Sequence, residues 1–126
     1  MKGKYFAIKE SNYMYYVTSV NTNTINLNET LSVFIPNSVV DFPVELSIED
    51  FQNLIDSQKI VEIPPPTIFI VTNKETYKIR KELTKAGARW VTSMGTKGLW
   101  VFKNKPLDNS FKVKEVLLYP FTGKRL

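Results

Sequence analysis

Three consecutive prolines, at residues 64–66, are the feature that most constrains how this chain of 126 residues folds. A proline nitrogen has no hydrogen to donate to a β-ladder, and a run of prolines favours an extended polyproline conformation. We therefore expect two subdomains, residues 1–63 and 67–126, with residues 64–66 as a rigid linker. A docking ligand for an aromatic groove is the alternative use of such a run.

The formal charge changes sign at the same prolines. Residues 1–63 carry four lysines against eight acidic residues, a net charge of −4, whereas residues 64–126 carry ten lysines and three arginines against four acidic residues, a net charge of +9. A strongly basic half indicates an anionic partner, or attraction to the acidic half or to a second copy of the chain. An uneven surface charge without a ligand is the alternative.

The absence of two residue types restricts the chemistry. The chain contains no cysteine and no histidine, so it cannot form a disulfide, a Cys/His zinc site, a thiol nucleophile or a histidine general base. The clustered acids Glu49, Asp50 and Asp56 are better explained by helix capping and solvation than by catalysis or metal binding. We expect no enzymatic activity, no cofactor and no metal.

The acidic half is predicted to be a curled antiparallel β-meander with one short helix. Runs rich in β-branched and aromatic residues, at 5–8, 13–20, 24–27 and 31–35, predict its strands. Ser47 is the predicted N-cap of a helix that ends near Ser57 and buries one apolar stripe. Residues 59–63 are predicted to return as a strand.

The basic half is predicted to be a β-α-β-β-β unit with one helix packed on a sheet, which makes the whole chain α+β. Its predicted strands cover residues 67–71, 88–94, 99–103 and 111–119, with a hairpin loop at 95–98. Thr72 or Asn73 is the predicted cap of a helix running to about Ala86, and Gly87 is expected to end it in a left-handed conformation.

Four lysines of this helix, at positions 74, 78, 81 and 85, fall on one narrow stripe at 100° per residue. Ile79, Leu83 and Ala86 are predicted to face the sheet on the opposite side. Such a stripe suits contacts with phosphates, and an ordinary solvated helix face is the alternative.

The hairpin adds aromatic residues to these cations. An indole can stack on a base while cations hold its phosphates, although Trp90 and Trp100 serving mainly as core residues is the alternative. The predicted nucleic-acid-binding residues are Lys74, Lys78, Lys81, Lys85, Arg89, Lys97 and Trp100, with DNA favoured over RNA.

The segments Lys85-Ala86-Gly87-Ala88-Arg89-Trp90 and Trp100-Val101-Phe102 resemble a small Gly-Ala-Arg-Trp domain of unknown function found in phage and plasmid proteins. The resemblance covers about residues 67–104. In that family a helix ends in the Gly-Ala-Arg-Trp segment and a Trp-containing strand follows, often beside primase- or antirestriction-type modules. The resemblance implies a protein of mobile elements that associates with nucleic acid.

Two main functional hypotheses follow, and a virion or assembly component is a third possibility. The first is a non-enzymatic phage- or plasmid-type accessory protein that binds nucleic acid through the basic helix and hairpin. The second is a phage-encoded inhibitor or regulator whose acidic half occupies a basic cleft on a host protein; self-association into a homo-oligomer is compatible with either. No apolar run approaches the roughly 20 residues that span a bilayer, so we expect no membrane partner and a location in the cytoplasm of a bacterial host.

Overall fold

The structure is a computed structural model that describes residues 1–36, 41–92 and 98–119. In these ranges the strands are β1 Tyr5–Ile8, β2 Tyr13–Val20, β3 Thr24–Leu31, β4 Asp41–Ser47, β5 Ile60–Ile63, β6 Thr67–Val71, β7 Arg89–Val91, β8 Leu99–Phe102 and β9 Val113–Leu117. The helices are α1 Ile48–Asp56 and α2 Arg80–Lys85, and a 3₁₀ turn, Thr76–Ile79, precedes α2. Two antiparallel sheets with short helices confirm the predicted α+β class.

The chain divides into two compact units. The first unit comprises Met1–Val33 and Val39–Pro65, and the second comprises Phe34–Ser38 and Pro66–Leu126. The final passage of the chain from the first unit to the second thus lies within the run of three prolines. Phe34 belongs to the second unit because its side chain packs against the apolar cluster of that unit. An aromatic side chain in a loop joins the core that it contacts, so the division does not follow the order of the sequence throughout.

The first unit is a five-stranded antiparallel sheet in the order β4-β3-β2-β1-β5, with α1 packed against it. Its buried core consists of Phe6, Val17, Ile25, Leu27, Phe51 and Ile60. The α1 helix begins as predicted, because the Ser47 hydroxyl oxygen accepts a hydrogen bond from the Asp50 backbone N–H at 3.0 Å. Phe51 anchors the helix: its ring meets the Phe6 ring edge-on, with centroids 5.2 Å apart.

The second unit is a four-stranded antiparallel sheet in the order β7-β8-β6-β9. Successive side chains of a strand point to opposite faces, and β6 accordingly contributes to two apolar clusters. Ile68 and Ile70 belong to one cluster, whereas Phe69 and Val71 belong to the other. The second cluster also contains Leu83 of α2, which is fully buried. The helix therefore covers the sheet face that carries Phe69 and Val71.

The predicted strand at residues 31–35 is wrong. β3 continues to Leu31, four residues beyond its predicted end, and the strand stops there. The Ser32 N–H donates to the Asn12 carbonyl oxygen at 2.7 Å, which closes the end of the β2–β3 pair. Phe34, inside the predicted strand, packs in the second unit instead.

The predicted start of the second helix is also wrong. Asn73 does not cap it, because its side chain bonds to a distant segment: the Oδ1 atom accepts from the Lys112 N–H at 2.6 Å and the Nδ2 atom donates to the Ser110 carbonyl oxygen at 2.9 Å. Glu75 then adopts a left-handed φ of 55°, which interrupts any continuous helix from residue 73.

The end of this helix is closer to the prediction. Gly87 has a φ of +103°, which confirms the left-handed termination after α2. Ala86 is exposed, contrary to prediction, whereas Ala88 is fully buried in the cluster with Leu83. The short α2 turns Ala86 away from the sheet, and the chain returns to the core only after the glycine.

Candidate nucleic-acid interface

The short α2 divides the predicted stripe of four lysines. Lys74 precedes the 3₁₀ turn and Lys78 lies within it, so that only Lys81 and Lys85 belong to the α-helix. A single stripe at α-helical spacing is therefore wrong. Lys81 and Lys85 are four residues apart, however, and lie on the same face of α2.

The lysines also differ in their ion pairs. The Lys78 Nζ atom lies 3.2 Å from Glu75 Oε2, and both side chains are exposed. Across the described ranges, by contrast, neither Lys81 nor Lys85 forms an ion pair with a carboxylate. The positive charges of α2 are thus available to an anion, whereas that of Lys78 is partly offset.

A shallow groove runs beside α2. Arg80, Lys81, Thr84, Lys85 and Trp100 line it, and its volume is about 470 Å³. Because Arg80, Lys81 and Lys85 lie within two turns of helix, the groove combines three cations with the indole of a neighbouring strand. We call this feature the cationic groove.

A smaller cavity adjoins the cationic groove. Thr76, Tyr77, Arg80, Trp90 and Trp100 line it, and its volume is about 200 Å³. Arg80 and Trp100 line both the cavity and the groove, so the two are neighbours that share these side chains. We call this feature the aromatic pocket.

Arg80 is held in place as a wall of the aromatic pocket. Its guanidinium carbon lies 3.9 Å from the centroid of the Tyr77 ring, in cation–π geometry. Its Nη1 atom also donates a hydrogen bond to the Tyr77 carbonyl oxygen at 2.7 Å. A guanidinium carries five N–H donors, so this arrangement leaves donors for an anion at the edge of the pocket.

The two tryptophans line the same pocket. Trp90 on β7 and Trp100 on β8 are direct partners in the antiparallel register, so their side chains lie on the same face of the sheet. Their ring centroids are 5.5 Å apart and the rings are inclined by 63°, in an edge-to-face arrangement. Trp100 packs partly against the cluster of Leu83, whereas Trp90 is 47% exposed. Trp100 therefore combines core packing with a place in the pocket lining, whereas Trp90 leaves nearly half of its surface to solvent.

Gly98 determines where the Trp90 indole can lie. A Cβ atom added to Gly98 would stand 2.7 Å from Trp90 Cε2, nearer than carbon atoms normally approach. The φ angle of Gly98 is +145°. The glycine lets its backbone pass directly beside the ring. Gly98 thus does not line the aromatic pocket, but the absence of a side chain at this position leaves the space that the Trp90 ring occupies.

One of the remaining predicted residues, Arg89, is not brought to this site. Arg89 is the register partner of Val101, on the sheet face opposite to the tryptophans, and its Nη1 atom donates to the Ala88 carbonyl oxygen at 3.0 Å. Lys97 lies outside the described residues. The predicted set of binding residues omits Tyr77 and Arg80, for which their three-residue spacing was the available signal. It also omits Trp90, although the sequence marks both indoles as candidates for stacking on a base.

No protein-family model matches the chain, and no curated protein or solved structure is significantly similar to it. The resemblance to the Gly-Ala-Arg-Trp domain therefore stays a prediction. Within the described ranges, no group of three or more acidic side chains is arranged to hold a metal ion. No helix in those ranges has the length and apolar character to cross a bilayer.

Proposed function

We propose that the second unit binds nucleic acid through the cationic groove, and that the protein acts in this way as a non-enzymatic accessory protein in the cytoplasm of a bacterial host. The observation that carries the proposal is the grouping of Arg80, Lys81 and Lys85 around one groove, beside the indole of Trp100. The mobile-element context implied by the Gly-Ala-Arg-Trp resemblance agrees with it.

Contacts with phosphates set the magnitude of the expected effect. Each phosphate neutralised on a duplex contributes about −0.9 to the slope of log K against log salt concentration. Contacts from the three cations give a slope of about −2.7, so affinity falls about 40-fold between roughly 50 and 200 mM salt. These contacts confer little sequence preference.

A salt titration of the full chain tests this proposal. Fluorescence anisotropy is measured with labelled DNA and RNA oligonucleotides, single-stranded and duplex, at increasing salt. The variant Lys81→Glu/Lys85→Glu should bind at least about tenfold more weakly, with a slope smaller in magnitude by about 2, because two phosphate contacts are lost and two repulsions are introduced.

A matched control separates the groove from the overall charge. Lys105→Glu/Lys112→Glu makes the same change in net charge at two exposed lysines that do not line the groove. We expect it to retain most of the affinity and the slope. The proposal is wrong if the wild-type chain binds no nucleic acid at about 50 mM salt, or if both double variants weaken binding equally.

A second candidate function is supported by the charge of the first unit. β4 and α1 expose five carboxylates, which belong to Asp41, Glu45, Glu49, Asp50 and Asp56. Such a surface suits a basic cleft on a host protein. Its test is affinity purification after nuclease treatment: recovery of one stoichiometric protein by the wild type, lost in Glu45→Lys/Glu49→Lys and retained in Lys81→Glu/Lys85→Glu, would favour this candidate over nucleic-acid binding.

A further inference from the structure

We infer that the aromatic pocket takes a single unpaired base, and that the second unit consequently prefers single-stranded nucleic acid to duplex. This inference rests on the proposed function, because the cationic groove must hold the neighbouring phosphates. It concerns a different set of side chains, however. Phosphate contacts alone do not discriminate strongly between single-stranded and duplex nucleic acid. The preference for a single strand therefore depends on Tyr77, Trp90 and Trp100.

The size of the aromatic pocket restricts its occupant. Its volume of about 200 Å³ is below the roughly 300–1,000 Å³ of pockets for drug-sized ligands. One flat ring system fits a space of this size, whereas a base pair does not. Because the pocket and the cationic groove share Arg80 and Trp100 as lining residues, a ring inserted here lies next to cations that would hold its backbone.

The arrangement of the tryptophans leaves ring surface for stacking. Two rings have four faces in total. In an edge-to-face pair, the edge of one ring covers one face of the other ring, so contact within the pair covers only one of the four faces. Trp90 is 47% exposed, and the Gly98 backbone lies beside this ring. A base stacks favourably on such a surface, and it does so with little regard to its identity because every base has a π-face.

The charge of Arg80 excludes the main competing ligand for an aromatic pocket. Cages of aromatic side chains commonly bind quaternary ammonium groups, which are cationic. Here the guanidinium of Arg80 forms one wall, 3.9 Å from the Tyr77 ring centroid, and it repels a cation. The same guanidinium attracts a phosphate, so the pocket is suited to a base that carries its phosphate beside it.

A duplex presents its bases to this pocket poorly, because they are stacked and paired. Extracting one base from a duplex costs about 30-fold or more in affinity, whereas a single strand offers bases at much lower cost. We expect the wild-type chain to bind a single strand at least about tenfold more tightly than a duplex of the same sequence and salt concentration.

Tryptophan fluorescence is a direct readout of the pocket. Trp90 and Trp100 are the two tryptophans of the chain, so all of its indole emission comes from this site. The full chain is titrated with a single-stranded DNA 12-mer, with the corresponding duplex, and with a 12-mer that has abasic positions in its centre but the same number of phosphates. Quenching and affinity are measured together.

Two variants assign the preference to the pocket. Trp90→Ala should weaken binding of the intact single strand by about 5- to 150-fold and should leave duplex and abasic binding nearly unchanged. Trp90→Phe, which retains an aromatic face, should recover part of the loss. Lys81→Glu/Lys85→Glu should instead weaken all three ligands.

The outcomes distinguish this inference from the function on which it rests. Equal binding of single-stranded, duplex and abasic DNA, all sensitive to the lysine substitutions, would overturn the inference that the aromatic pocket binds a base. The proposed function would be retained. A preference for intact over abasic strands that persists in Trp90→Ala would likewise overturn that inference. Absence of binding to every ligand at about 50 mM salt would overturn both. The abasic comparison uses the wild-type chain and therefore holds even if a variant fails to fold.

Discussion

Replacement of Gly98 by alanine tests how the Trp90 side of the aromatic pocket is built. The new Cβ atom would stand 2.7 Å from Trp90 Cε2 and 2.9 Å from Cη2. Carbon atoms pack at about 3.5–4.0 Å, so the indole or the strand must move by about 1 Å. The φ of +145° adds backbone strain that an alanine cannot avoid.

The magnitude follows from these two costs. A left-handed backbone costs an alanine about 1–2 kcal/mol, and forcing an extra methyl group against packed atoms costs about 1–3 kcal/mol more. We therefore expect Gly98→Ala to lower the free energy of unfolding by about 2–5 kcal/mol. Gly87→Ala is the matched control, because Gly87 has a φ of +103° but no atom within 4 Å of the added Cβ; we expect a loss of only about 1–2 kcal/mol there.

Urea unfolding followed by tryptophan emission measures both losses in the second unit, where both indoles lie. In the Trp90→Ala background the clash is absent, so Gly98→Ala should cost no more than Gly87→Ala. A double-mutant cycle isolates this coupling, for which we expect about 1–3 kcal/mol. A coupling below about 0.5 kcal/mol would refute the close packing of Trp90 on Gly98.

Four further predictions concern the two units. Leu83→Ala should destabilise the second unit by about 2–5 kcal/mol in the same urea assay, because a fully buried side chain is removed; a loss below about 1 kcal/mol would contradict its place in the core. Asn73→Ala should cost about 1–2 kcal/mol and accelerate hydrogen exchange at the Lys112 amide, which loses its acceptor. Ser47→Ala should cost the first unit about 1 kcal/mol by far-UV circular dichroism, and Ser47→Asp should retain the cap. Burial raises the pKa of Tyr5 above its usual 10.0, with a smaller contribution from Tyr16. The contribution of the neutral Tyr5 side chain to the free energy of unfolding is therefore complete below pH 10 and is lost as the pH rises through the folded-state pKa. Between pH 9 and 11, the free energy of unfolding of Tyr5→Phe should fall less than that of the wild type.

Features that depend on a few neighbouring residues were predictable. β1 and β2 have the predicted bounds, because alternation and β-branched residues act along the strand itself. Ser47 and Gly87 were correctly placed at helix ends for the same reason: a cap bonds to groups within three or four residues.

The candidate site depended on partners that are distant in the sequence. Asn73 has the residue type of a cap, but its partners lie 37 and 39 residues away and hold it elsewhere. A hairpin loop at residues 95–98 would place Trp90 opposite Lys103, whereas the observed register places it opposite Trp100. No local pattern contains that register, so the aromatic pairing was not predictable.

The sequence by itself determined the α+β class, the absence of cysteine and histidine chemistry, and the separation of an acidic half from a basic one at three prolines. These properties follow from composition, from periodicity and from the missing N–H of proline, which do not depend on distant contacts. Only the tertiary structure decided which cations and aromatic rings meet. Arg80 joins Trp90 and Trp100 because β7 pairs with β8 and Leu83 holds α2 on the same sheet face, and each of these contacts is made between segments that are separate along the chain.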